Sequence, residues 1–155
     1  MKDCRDCPLI ERRTFVRDIS VALAGFALAL PIRMGRADSR IGDELTYPIP
    51  AEDGATIDHD NDVIVARYRQ KLYAFNLSCP HQHTALHWEA EDQQFQCPRH
   101  HSRYTPDGVY VSGRATRSMD RFGVRRDGGN VIVDLAKYYR EDQDHSDWDA
   151  ALLAL

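Results

Sequence analysis

Cys79-Pro80-His81-Gln82-His83-Thr84 and Cys97-Pro98-Arg99-His100-His101-Ser102-Arg103-Tyr104 are the two stretches that decide how this chain is read. In outline they give Cys-x-His, fifteen residues, then Cys-x-x-His, followed by Ser-x-Tyr and Gly108. Two soft thiolates and two imidazoles offered from two loops form a donor set for a metal centre. A tetrahedral zinc site, and with it a zinc-stabilised binding module, is one reading of such a set. Zinc motifs, however, mostly pair Cys with Cys and His with His over short spacings. Here each loop brings one of each, and a proline after each Cys stiffens the loop.

Outward from these loops the chain reads as short strands. Val63-Ile64-Val65-Ala66-Arg67-Tyr68 and Leu72-Tyr73-Ala74-Phe75-Asn76-Leu77 are rich in β-branched and aromatic residues, and the second leads into the first loop. Gln94-Phe95-Gln96 leads into the second. Residues 108–111, 121–125 and 130–135 complete the set, with Asp127-Gly128-Gly129 as a strong turn between the last two. Residues 45–50 read as an edge strand, because Pro48 and Pro50 cannot serve a central ladder. Residues 52–54 and 58–62 read as turns. Many short strands separated by turn residues predict an all-β antiparallel sandwich or barrel carrying a two-loop subdomain.

Over residues 62–135 the paired motif resembles the Rieske 2Fe–2S protein family, in its high-potential, cytochrome bc complex-like branch. The resemblance implies a 2Fe–2S cluster with Cys79 and Cys97 on one iron and His81 and His100 on the other. It also implies potential-tuning hydrogen bonds from Ser102 and Tyr104, and an exposed tip where the two His meet a redox partner. Two features depart from that branch. Its loops carry a clamping disulfide where this chain has Thr84 and Arg99, and its Gly-Pro-rich third loop reads here Ser112-Gly113-Arg114-Ala115-Thr116-Arg117. With Arg99 and Arg103, the arginines of that loop suggest a basic rim around the tip. His83 and His101 stand where the family has small residues.

Residues 1–37 are of a different kind. Glu11-Arg12-Arg13-Thr14-Phe15-Val16-Arg17 resembles the twin-arginine export motif, and an uncharged run over 19–32 follows it. Met34-Gly35-Arg36-Ala37 offers small residues for cleavage after Ala37. Retained as a helix, the run would reach only about 21 Å at 1.5 Å per residue. That falls short of a hydrocarbon core of roughly 30 Å, though the segment remains a route to membrane association. Cys4 and Cys7 have no second pair nearby, and Pro8 excludes a haem-attachment pattern.

The chain therefore divides into a signal or anchor over 1–37, a connector with an edge strand over 38–61, the cluster domain over 62–135, and a helical tail over 136–155. In that tail Ser146 to Asp149 resembles a capping box, and Trp148, Leu152 and Leu155 share one face. At 155 residues and 43% hydrophobic content the chain supports one sizeable core. A net charge of −4 gives no field for nucleic acid.

The expected function is extracytoplasmic electron transfer at the periplasmic face, with no stand-alone enzymatic activity. The chain would be a subunit of a respiratory-type oxidoreductase, with a cytochrome or other redox subunit as partner and a quinol as a further one. A Rieske ferredoxin supplying an oxygenase is the alternative, which an export signal disfavours. An oxygenase itself would need a separate domain for a 2-His-1-carboxylate iron.

Overall fold

The computed structural model describes residues 42–155. The twin-arginine-like stretch, the apolar run over 19–32, Cys4 and Cys7 lie outside the described residues.

The elements are β1 (Glu44–Pro48), β2 (Gly54–Asp58), β3 (Val63–Tyr68), β4 (Lys71–Asn76), β5 (His87–Glu89), β6 (Gln94–Gln96), β7 (Arg103–Tyr104), β8 (Tyr110–Ser112), β9 (Arg121–Asp127), β10 (Asn130–Tyr139), α1 (His145–Ala150) and β11 (Leu153–Ala154). They form two antiparallel sheets. A curled base sheet runs β1-β10-β9-β4-β3-β2, with β11 also paired to β4, and a smaller sheet runs β5-β6-β7-β8. The all-β expectation holds.

The central hairpin β3–β4 shows why the base is stable. Side chains alternate along a strand, so Val63, Val65, Leu72 and Ala74 enter one core while Ile64, Ala66, Tyr73 and Phe75 enter the other. Both faces are buried. Its two-residue turn puts Arg69 (φ 50°) and Gln70 (φ 62°) in the left-handed region, where Asn-Gly is the usual sequence. Outside contacts hold it. The Arg69 N–H donates to Asp53 Oδ2 at 3.0 Å, the Arg69 guanidinium lies 4.8 Å over the Tyr68 ring, and the Gln70 carbonyl accepts from the Leu155 N–H at 2.9 Å.

Two regions differ from the sequence reading. Residues 54–58, read there partly as turn, form β2 and pair with β3 from Gly54↔Arg67 to Asp58↔Val63. Three of its five residues are Ala55, Thr56 and Ile57, a strand too brief for periodicity to reveal. The tail after 135 is not helical as a whole. β10 continues to Tyr139 across a register irregularity between Asp134 and Tyr138, and the helix spans only His145–Ala150. The capping box of 146–149 does not form. Asp144 is the N-cap and makes no side-chain capping bond.

Trp148 anchors this short helix to its own domain. It is buried, and its indole N–H donates to the Met119 carbonyl at 2.7 Å. The Arg121 guanidinium stacks 3.5 Å from the Trp148 ring centroid and donates to the carbonyls of Trp148 (2.7 Å) and Asp107 (2.6 Å). A buried cation is held by aromatic faces and carbonyl dipoles.

Candidate metal centre

The smaller sheet exists to present loops. Loop one joins β4 to β5, loop two joins β6 to β7, and loop three joins β8 to β9. Loops one and two have the same backbone frame. In loop one the Cys79 N–H donates to the Thr84 carbonyl (2.8 Å) and the His83 N–H to the Cys79 carbonyl (2.9 Å). In loop two the Cys97 N–H donates to the Ser102 carbonyl (2.9 Å) and the His101 N–H to the Cys97 carbonyl (2.9 Å). His83 (φ 52°) and His101 (φ 56°) occupy the same left-handed position in each. Glycine fits there without cost, and His is one of the few other residues enriched in that region. No disulfide ties the loops, so these paired bonds and the two Cys-Pro steps hold them.

Within this frame the two imidazoles meet and the two thiols share one core. Cys79 and Cys97 are free thiols, both buried in the core that also holds Phe75, Leu86, Phe95 and Tyr104. His81 and His100 are half-exposed, one from each loop, with their Nδ1 atoms 3.1 Å apart and ring centroids 4.7 Å apart. Burial, the neighbouring His81 and the charges of Arg114 and Arg99 all hold the His100 imidazole below its ordinary pKa. Neutral imidazole is the metal-binding form.

Tyr104 stands behind this set. Its ring is fully buried and its hydroxyl lies 3.3 Å from Cys79 Sγ. Burial, followed by the hydrogen bond and charge of Cys79, raises the phenol's pKa, so it stays protonated as a donor. Ser102 is buried too, and its Oγ accepts the N–H groups of Arg114 (3.1 Å) and Ala115 (3.0 Å). Both lone pairs are thereby used, and the hydroxyl proton is left to donate.

Sequence reasoning does not single out Gly113. A Cβ there would lie 2.4 Å from Ser102 Cα, and its φ is +110°. Only glycine lets loop three approach loop two closely enough to reach Ser102. A lone Gly between Ser112 and Arg114 was its only signal. Trp88 is half-buried and packs on Phe95 at 4.8 Å between ring centroids, behind the loops. Arg117 does not belong to an open basic rim, because it pairs with Asp120 and lies 3.7 Å from Asp142.

The donor set has a definite chemistry. Among the described residues no group of three or more His, Cys, Asp or Glu is arranged to hold a single metal ion. A tetrahedral zinc site requires all four donors about 2.0–2.3 Å from one point. Two buried thiols with a hydroxyl donor beside them and two imidazoles at the rim suit a group with a thiolate end and an imidazole end. The residues fit a diiron cluster better than a lone ion.

Comparison with known proteins agrees. The Rieske [2Fe-2S] domain model matches residues 49–128, a little over half of the chain. The chloroplastic cytochrome b6-f complex iron-sulfur subunit of Bigelowiella natans is 32% identical over 88 residues, covering 57% of this chain and 30% of the relative. The corresponding subunit of Chlorobaculum tepidum is 30% identical over 78 residues, covering 50% of this chain and 43% of the relative. The match thus spans less than half the length of either relative. Among solved structures, the plasma membrane Rieske protein PetC3 of Synechocystis is similar at 22% identity and a TM-score of 0.44, over 59% of this chain and 85% of that one. The chain belongs to the Rieske [2Fe-2S] domain family, and its cofactor is a Rieske-type 2Fe–2S cluster.

Proposed function

We propose that Cys79 and Cys97 hold one iron of the cluster, that His81 and His100 hold the other, and that the chain carries single electrons outside the cytoplasm to a cytochrome-type partner. The observation that carries this reading is the approach of the two half-exposed Nδ1 atoms to 3.1 Å, together with two free, buried thiols on the same two loops. When bound, the cluster supplies a one-electron centre in the range of roughly −150 to +300 mV, because two neutral imidazoles replace two anionic thiolates.

The chain's own side chains do the rest. The protonated Tyr104 hydroxyl donates to Cys79 Sγ, which draws charge off the thiolate and favours the reduced state. The Ser102 hydroxyl, pinned from loop three, is a second donor of this kind. Phe95, Leu86 and Phe75 keep water from the thiols. Nδ1 ligation leaves the other ring nitrogen of His81 and His100 protonated, able to donate to a partner or a quinol. Relatives that are subunits of the cytochrome b6-f complex support a cytochrome-complex partner. The twin-arginine-like stretch supports export in the folded state, and the apolar run over 19–32 supports membrane association.

Metal analysis with electron paramagnetic resonance tests the centre. Wild-type protein is expected to contain iron and acid-labile sulfide in equal amounts and to give a reduced-state iron–sulfur signal. His81→Ala and His100→Ala should each abolish it. Zinc without sulfide, or a signal indifferent to both substitutions, overturns the ligand assignment. Location is tested separately by cell fractionation. Wild-type protein is expected outside the cytoplasm, and the double variant Arg12→Lys, Arg13→Lys is expected to stay in the cytosol. Wild-type recovered wholly in the cytosol would refute export and restore the ferredoxin alternative.

A further inference from the structure

Charge is distributed unevenly over this chain. The whole carries −4, yet residues 79–84, 97–102 and 112–117 contain no Asp or Glu, and the one acid of the three tip loops is Asp120. They contain Arg99, Arg114 and Arg117, and of these Arg117 is paired with Asp120. Arg99 and Arg114 are exposed, and neither makes an ion pair with any of the described residues.

Both sit where a partner would meet the tip. Arg99 directly precedes His100 within loop two. The Arg114 backbone N–H is bonded to Ser102 Oγ at 3.1 Å, at the far end of the same loop. Gly113 packs against the Ser102 backbone, which fixes the entry of loop three. The backbones that carry the two arginines are held in place before any partner arrives.

We propose that Arg99 and Arg114 form a cationic collar beside the His81–His100 rim that docks a carboxylate-rich face of the redox partner protein. This rests on the electron-transfer reading and names the partner's surface chemistry. Unpaired like charges at one edge are favourable only once opposite charges approach. A local patch of this kind outweighs a net charge of −4 at contact, because screening limits distant charges to a Debye length of about 10 Å. Such a collar acts chiefly on association rate and orientation.

The test uses the holoprotein, full chain, with two readouts. In the first, binding of a fluorescein-labelled hexaglutamate peptide is followed by anisotropy at low ionic strength. The double variant Arg99→Glu, Arg114→Glu is expected to weaken binding about tenfold or more. Arg125→Glu, a charge reversal on β9 where the arginine pairs with Glu44 at 2.8 Å, should leave it nearly unchanged. In the second, the reduced protein is oxidised by ferricyanide and by tris(phenanthroline)cobalt(III). The collar predicts a ferricyanide rate that falls with added salt and falls again in the double variant, with the cationic oxidant moving the opposite way. A ferricyanide rate that rises with salt would show that the net negative charge governs the approach and would sink the collar. Equal losses of peptide binding in the double variant and in Arg125→Glu would do the same. The peptide assay does not depend on electron transfer, so a protein without a redox-active centre refutes the carrier reading and leaves the collar result standing.

Discussion

The base sheet and the tip sheet are built by different physics. In the base, the six strands β1, β10, β9, β4, β3 and β2, each of five to ten residues, bury β3 and β4 on both faces, and stability comes from apolar area removed from water. In the tip, strands of two or three residues are too short to hold a sheet by themselves. Order there comes from the paired backbone bonds of loops one and two, from Ser102 and from glycine-permitted contact. The difference assigns separate tasks. The base fixes the platform regardless of what the tip carries, while the tip trades apolar mass for donors aimed at one place.

The sharpest way to test this division is to damage the base. Leu72→Ala removes a side chain that is 0% exposed, next to the turn of the double-faced hairpin. The expected cost is about 2–5 kcal/mol, from lost transfer energy plus a cavity. Urea denaturation followed by far-ultraviolet circular dichroism and by cluster absorbance should show both transitions moving down together. If the cluster signal alone moved, the base would not be the platform.

Gly113→Ala is the converse. The new Cβ would sit 2.4 Å from Ser102 Cα at a φ of +110°, so loop three must back away from loop two. A strained backbone site of this sort costs about 1–3 kcal/mol. Its effect should stay local, with lower iron content and an altered paramagnetic spectrum while the far-ultraviolet spectrum of the base is retained. Global unfolding in the variant would mean that the tip supports the base.

Tyr104→Phe is gentler still. The phenyl ring keeps the packing against Tyr110, whose ring centroid is 6.2 Å away, while the hydroxyl is lost with its bond to Cys79 and its contact with Ser102. One hydrogen bond of about 1 kcal/mol, expressed for a one-electron couple, corresponds to a midpoint potential lower by on the order of 40 mV. An unchanged midpoint would reduce Tyr104 to a core residue.

Legibility in the sequence followed the same division. The β3–β4 hairpin, β6 and the glycine turn before Asn130 could be read because their signals are local: β-branched runs and turn residues. The motif of Cys79, His81, Cys97 and His100 could be read because its spacing is itself chemical. What stayed hidden depended on contacts between distant segments. β2 is a strand only because β3 lies beside it. Residues 136–139 continue β10 because Tyr138 and Tyr139 pair with Phe122 and Arg121. Arg117 reads as a free cation in the sequence, whereas Asp120 lies against it, three residues further along a loop whose path no pattern reveals.

The smallest expected effect belongs to the edge of the base, at the turn that closes β2. Asp58 Oδ1 accepts the N–H groups of Asp60 (3.0 Å) and Asn61 (3.2 Å), and Oδ2 accepts from Asn61 Nδ2 (2.8 Å) and the Tyr47 hydroxyl (2.8 Å). Burial pushes this carboxyl up, but the four donors outweigh it and hold the folded-state pKa below the ordinary 3.8. A depressed pKa means that the folded chain prefers the ionised form. The resulting stabilisation is therefore complete above the unfolded-state value and disappears as pH falls through the folded one. Asp58→Asn keeps an oxygen for the two backbone donors and removes the charge. The urea midpoints of wild type and variant should differ by a constant amount down to about pH 4 and converge below it. A gap that persists unchanged into strong acid would show that the turn depends on the shape of the side chain alone.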